Sequence, residues 1–161
     1  MLAPASTTSF LITPETPDDA ARVEAVVTAA FGPGRFAKTA ERLRERAAFA
    51  AGFTAADAGR LVGSVRMWRI RIGDTPALFL GPIAVEESHR KAGLGADLVA
   101  ACLDWARSQA AAGVLLVGDA PYFGRFGFET AGDVRLPGPA DPRRVLWLSL
   151  SGATAIGDVT A

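Results

Sequence analysis

The chain has one cysteine, one histidine and no excess of charge of either sign, and each scarcity closes off a class of function. A lone Cys102 cannot close an internal disulfide. With His89 as the single imidazole, no cysteine–histidine cluster of metal-ligand spacing exists. Neither a disulfide scaffold nor a resident metal is expected. Basic and acidic residues balance at 17 each, so no broad positive field invites nucleic acid or an anionic membrane surface. No apolar run approaches the roughly 20 residues of a membrane-spanning helix. Residues Met1 to Ser9 hold neither a charged start nor an apolar stretch of the signal-peptide kind. A cytoplasmic, reducing compartment is the expectation. The 161 residues, 50% hydrophobic and 21% charged, contain no repeat and no linker. One globular domain is expected over 1–161, with 1–9 and 151–161 as tails.

What is present is concentrated between Leu80 and Ala96. A strand-type run, Ala77 to Val85, breaks into a short polar segment. Arg90, Lys91, Ala92, Gly93, Leu94, Gly95 and Ala96 follow, and a helical pattern continues to about Gln109. Strand, glycine loop and helix start, in that order, make an anion site. The first helical amides lack intrahelical acceptors, and the positive end of the helix dipole lies beside them. Gly93 and Gly95 let the backbone come close to a ligand, while Arg90 and Lys91 add cationic donors. A pocket for phosphate or pyrophosphate follows. The loop of nucleotide hydrolases needs four residues between its glycines and then Lys-Ser or Lys-Thr, which is absent here. A dinucleotide fingerprint needs a third glycine where Leu98 stands. Within the strand, Gly81-Pro82 predicts a bulge. A bulge there would twist the strand from its neighbour and leave a wedge beside Ile83, Ala84 and Val85, which the local sequence permits an extended ligand arm carrying amides to fill.

Around this stretch the chain predicts alternating short elements. Phe10 to Thr13 is a strand, and Thr16-Pro17-Asp18-Asp19 starts a helix carrying Ala21, Val23, Val26, Val27 and Ala30. Phe31-Gly32-Pro33-Gly34 stops it, and a second helix covers Ala37 to Ala48 with its charges on a solvated face. Phe53 to Ala56 and Leu61 to Ile72 are strands about an Asp57-Ala58-Gly59 turn, and Gly73-Asp74 turns the chain into Pro76–Val85. Arg66, Arg69 and Arg71 most simply snorkel over apolar surface. In the helix after the loop, Leu98, Val99, Cys102 and Leu103 form a core stripe, with Cys102 a small buried apolar residue. Val114 to Val117 should run parallel to Pro76–Val85, because a helix crosses between them. Val145–Leu150 closes the sheet and is the candidate strand for a homodimer.

Arg90-Lys91-Ala92-Gly93-Leu94-Gly95 has the form Arg-x-x-Gly-x-Gly, placed between a strand and an amphipathic helix. It resembles the pyrophosphate motif of the GNAT superfamily of acetyl-CoA-dependent N-acetyltransferases. Gly118-Asp119-Ala120-Pro121-Tyr122-Phe123-Gly124-Arg125-Phe126-Gly127-Phe128 resembles the later segment of a bacterial subgroup, Gly-Asp-x-x-Tyr-Tyr-x-Arg-Phe-Gly-Phe. The resemblance covers Phe10 to Leu150. It implies an α/β fold with a mixed, mostly antiparallel sheet of six or seven strands and helices on both faces. It implies acetyl-CoA as co-substrate, its pantetheine arm along Ile83, Ala84 and Val85 and its diphosphate on Arg90 to Ala96. The implied activity is acetyl transfer to a primary amine of a small molecule or protein by direct attack. The position of the family's acid tyrosine is Phe123 here, one residue after Tyr122, so Tyr122 is the candidate acid and coenzyme contact. The family's strand glutamate is replaced by Phe79, which leaves Asp119, Glu86 and Glu87 as carboxylates near the strand ends and Asp119 as the candidate base. His89 is expected to face solvent or phosphate. Phe31, Arg35 and Phe36, with Arg42, are the candidate acceptor residues. The two phenylalanines keep open a rival function, a non-catalytic acyl-CoA sensor. A nucleotide-binding protein with another phosphate ligand is a third.

Overall fold

The Gly73–Asp74 turn sets the centre of the molecule by folding two long strands onto each other. The structure is a computed structural model that describes residues 10–161. The expectation of an N-terminal tail, 1–9, lies outside the described residues. In chain order come β1 (Leu11–Pro14), α1 (Ala20–Phe31), α2 (Thr39–Arg46), β2 (Ala48–Asp57), β3 (Arg60–Ile72), β4 (Thr75–Val85) and α3 (Leu94–Ser108). β5 (Gly113–Val117), α4 (Ala120–Gly124), β6 (Glu129–Thr130), β7 (Val134–Arg135), β8 (Val145–Ser149) and β9 (Gly157–Thr160) complete it. The main path of the sheet is β1-β2-β3-β4-β5-β8-β6, with β9 pairing β3 and β7 off that path. Its neighbours are antiparallel except β4 with β5, whose connection passes through α3 as a crossover must. The mixed, mostly antiparallel α/β fold is as the sequence implied.

Alternation along the strands divides the core into two layers. Leu78, Leu80, Met67, Val114 and Leu116 face α3, which turns Leu94, Leu98, Val99, Cys102, Leu103 and Ala106 inward. Each fully buried leucine among them contributes about 2 kcal/mol. Ala77, Phe79, Ile70 and Leu115 face the other way and pack with Leu43 of α2. Val23 and Val27 of α1 close that layer over Leu61 and Ala84. Burial pushes the Cys102 thiol well above its usual range, which suits an apolar filler and not a nucleophile.

Three expectations need correction. Residues 157–160 are not tail: β9 inserts a buried Val159 between β3 and β7, pairing Ile72 with Val159 and Val134 with Gly157. β8, the expected closing strand, is not the edge of the sheet at Leu146 and Trp147, where β6 pairs on the side away from β5. β2 starts at Ala48, five residues before the predicted Phe53, because its small residues pair with β3 as far as Ala48–Arg69.

Candidate functional site

β4 and β5 pair only at Leu78–Val114 and Phe79–Leu115, although both strands run on. The cause lies in β4. Val65 stands opposite Ile83 and Met67 opposite Leu80, so Gly81 and Pro82 together face Arg66 alone. This is the predicted bulge, with Gly81 at φ +132°, a value that suits glycine. On the β3 side the Glu86 amide donates to the Val62 carbonyl at 2.8 Å. Antiparallel alternation therefore turns Ala84 toward β3 and points the backbone groups of Ile83 and Val85 into the gap. The Val85 carbonyl there accepts Arg90 Nε at 3.1 Å. Ala84 is not brought to the gap, because its side chain is also buried against α1.

One end of the gap opens onto the start of α3. Gly93 caps that helix in the left-handed region (φ +77°, ψ 13°), and Asp97 is the first residue whose amide bonds back, to the Gly93 carbonyl. Among the described residues, the amides of Leu94, Gly95 and Ala96 have no backbone acceptor. Gly95 has ordinary helical geometry, so its value lies in the missing side chain. A Cβ there would stand 3.4 Å from the Tyr122 hydroxyl and 3.9 Å from Val85 Cγ2. That space belongs to a cavity of about 390 Å³ whose walls include Ile83, Val85, Arg90, Ala96, Tyr122 and Arg125. Open amides, two arginines and a clear backbone fit a diphosphate. Arg125, the arginine of the Arg-Phe-Gly-Phe segment, which the sequence reading gave no binding role, lies over the Tyr122 ring at 4.3 Å. The Leu94 side chain goes to the core, Ala92 is exposed, and the Lys91 side chain lies outside the described residues. His89 faces neither solvent nor phosphate. Its Nε2 is 2.9 Å from Asp57 and its Nδ1 2.8 Å from the Ser88 hydroxyl, so it fastens this turn to the β2–β3 hairpin.

The other end opens onto α2, in a second cavity of about 390 Å³. Leu80, Gly81, Pro82 and Ile83 form one wall, Leu116, Val117 and Phe123 the next, and Phe31, Arg35, Glu41 and Arg44 the third. The two cavities share Ile83. Arg35 is buried, ion-paired with Glu24 and stacked on the exposed Phe36. Phe36 itself is not part of the wall, and exposed Arg42 is replaced there by Arg44. Burial pulls the Arg44 guanidinium below its ordinary value, Glu41 at 3.3 Å opposes that, and Arg35 adds to it. Glu86 pairs with Arg60, Arg66 with Glu15, and Arg71 donates to the Asp74 carbonyl, all away from both cavities.

Residues 20–128 match the family model described as the acetyltransferase (GNAT) family. The chain belongs to the GNAT family. It is 33% identical over 125 residues to the Escherichia coli K12 protein named uncharacterized N-acetyltransferase YhbS, covering 76% of this chain and 75% of that one. The crystal structure of E. coli YhbS in complex with CoA superposes with a TM-score of 0.83 at 30% identity, over 99% of this chain and 92% of that chain. A GNAT acetyltransferase from Brucella melitensis in complex with acetyl-CoA gives 0.76 at 25% identity, over 96% of each. The chain is an N-acetyltransferase whose homologues bind CoA and acetyl-CoA.

Within this GNAT frame the two aromatics of α4 face different ends of the site. Phe123 is buried and lines the α2-side cavity. Tyr122, the only tyrosine, lines the α3-side cavity with its hydroxyl toward Gly95. One step along the helix is about 100°, which accounts for the separation. Asp119 caps α4, its Oδ2 accepting the Tyr122 amide at 3.0 Å, and it also lines the α2-side cavity. Phe79 is fully buried under Arg44, so no carboxylate stands on β4 at that level. Among the described residues no group of three or more His, Cys, Asp or Glu could hold a metal ion. No helix of those residues is long and apolar enough to cross a membrane.

Proposed function

We propose that this enzyme moves the acetyl group of acetyl-CoA to a primary amine by direct attack, inside a single domain. The observation that carries the reading is the unpaired edge of β4, which runs from the open α3 amides to the α2-side cavity through Ile83. Bound acetyl-CoA supplies an activated acetyl thioester. Leu94, Gly95 and Ala96 amides with Arg90 and Arg125 hold the diphosphate. Val85 and Ile83 take the amides of the pantetheine arm as a neighbouring strand would. The free Ile83 amide is the donor for negative charge that develops on the carbonyl oxygen. Tyr122 is a coenzyme contact near the diphosphate end rather than the acid, whose family position holds Phe123 here.

The acceptor enters from the α2 side as a neutral amine. Its nitrogen forms the new C–N bond, the C–S bond breaks, one amine proton leaves and the departing sulfur gains a proton. Asp119 has one carboxylate oxygen committed to its cap, and the other takes the amine proton through a water. Holding both reactants in one gap supplies much of the rate. Thiol release from acetyl-CoA across a panel of amines tests the reading. Release that needs a particular amine, with the KM for acetyl-CoA raised about tenfold in Gly95→Val, supports it. Tight coenzyme binding with no release from any amine overturns it.

A further inference from the structure

The α2-side cavity has four cationic side chains on its walls, Arg35, Lys38, Arg44 and Arg144, against two carboxylates, Glu41 and Asp119. Glu41 is already engaged, and Asp119 gives one oxygen to its cap and the other to the proposed proton transfer. Glu41 sits between two guanidiniums, 3.3 Å from Arg44 Nη1 and 4.0 Å from Arg35 Nη1. Asp119 caps α4. Glu24 takes Arg35 from α1. Arg44 is left with an unused edge: its Nε is buried without a hydrogen-bond partner among the described residues. A Cβ at position 81 would stand 2.5 Å from Arg44 Nη2 and 3.6 Å from Nε. The guanidinium therefore lies against the bare Gly81 backbone, in room that a side chain at position 81 would take from it. The paired Nε–H and Nη2–H of an arginine form a planar fork that matches two oxygens of an anion. Among the described residues, none supplies an oxygen to that Nε.

Resting on the acetyl-transfer reading above, we propose that the acceptor is a small amine that also carries an anionic group, carboxylate or phosphate, bound by the Nε/Nη2 edge of Arg44. The anion sits over Gly81, two residues from Ile83, which places the amine of a compact molecule at the free edge of β4. An amine bearing only positive charge meets like charge from Arg44, Lys38 and Arg144 on entry. The transfer balances as before, and the anionic group takes no part in bond making.

Matched pairs test this with the whole chain and acetyl-CoA: an α-amino acid against its carboxamide, and phosphoethanolamine against ethanolamine, with thiol release as the readout. The anionic member of one pair is expected to have a kcat/KM about tenfold or more above its neutral counterpart. The pair that shows the preference distinguishes carboxylate from phosphate. Arg44→Gln is expected to raise the KM of the preferred acceptor about tenfold with the KM for acetyl-CoA little moved, and Arg44→Lys to recover part of the loss. Equal or better use of the neutral member in both pairs overturns the inference, whether or not the variants fold. So does an unchanged preference in a folded Arg44→Gln protein. If acetyl-CoA binds and neutral amines are consumed, the anion inference falls alone. If acetyl-CoA does not bind, the acetyl-transfer reading falls with it.

Discussion

Asp119 does two things that one substitution separates. Its Oδ2 caps α4 through the Tyr122 amide, and its second oxygen is the base of the proposed reaction. Asparagine caps a helix as well as aspartate does but cannot take a proton. Asp119→Asn should therefore keep the melting temperature and lower kcat about a hundredfold, the lower range for general-base catalysis. Steady-state kinetics beside thermal unfolding reads both. An unchanged kcat would reduce Asp119 to its cap. At this scale the bare start of α3 was legible in the sequence. Gly93 and Gly95 stand three and five residues after Arg90, which is the spacing that leaves a helix start bare. Arg44 was not legible, and Arg125 was legible only as a motif residue without a place in the site. Arg125 reaches the α3 side only because α4 folds Tyr122 over Gly95, and Arg44 reaches the gap only because α2 lies across β4. Neither approach has a local signal. The sequence pointed instead to Arg42, which the phase of α2 turns outward.

Among the elements, β4 and β9 mark the two extremes of legibility. Gly81-Pro82 in an otherwise apolar run is a strong cue, since proline gives the ladder no donor and glycine tolerates the backbone a bulge requires. The bulge and the gap beside β5 are both present. β9 gave almost no cue: Gly157-Asp158-Val159-Thr160 has one large apolar residue, and its partner strands are far away in sequence. Val159 is nonetheless buried with Ile72 and Val134. Val159→Ala should destabilise the fold by about 2 kcal/mol, visible as a lower urea midpoint with little change in slope. A variant as stable as the parent would mean that the strand is dispensable and the segment is a tail after all.

For the whole molecule, the arrangement is a sheet with helices on both faces, split for half the length of one strand so that a ligand can complete it. α3 brings its bare N-terminus to one end of the split, and α2 brings its guanidiniums to the other. α4 divides the two ends with Tyr122 on one side and Phe123 on the other. The architecture was legible because a crossover helix between two strands fixes their parallel relation. The α2-side cavity was legible only in part: Phe31, Arg35 and Asp119 line it as named residues, while Arg44 and the walls from β4 and β5 join them only through folding. The most direct measurement is a crystal structure of this chain with CoA. The diphosphate should lie on the amides of Leu94 to Ala96, with the pantetheine arm hydrogen-bonded to Ile83 and Val85 and the thiol end toward the α2-side cavity. CoA bound with its diphosphate away from Gly93–Ala96, or with the edge of β4 left unpaired, would contradict the account.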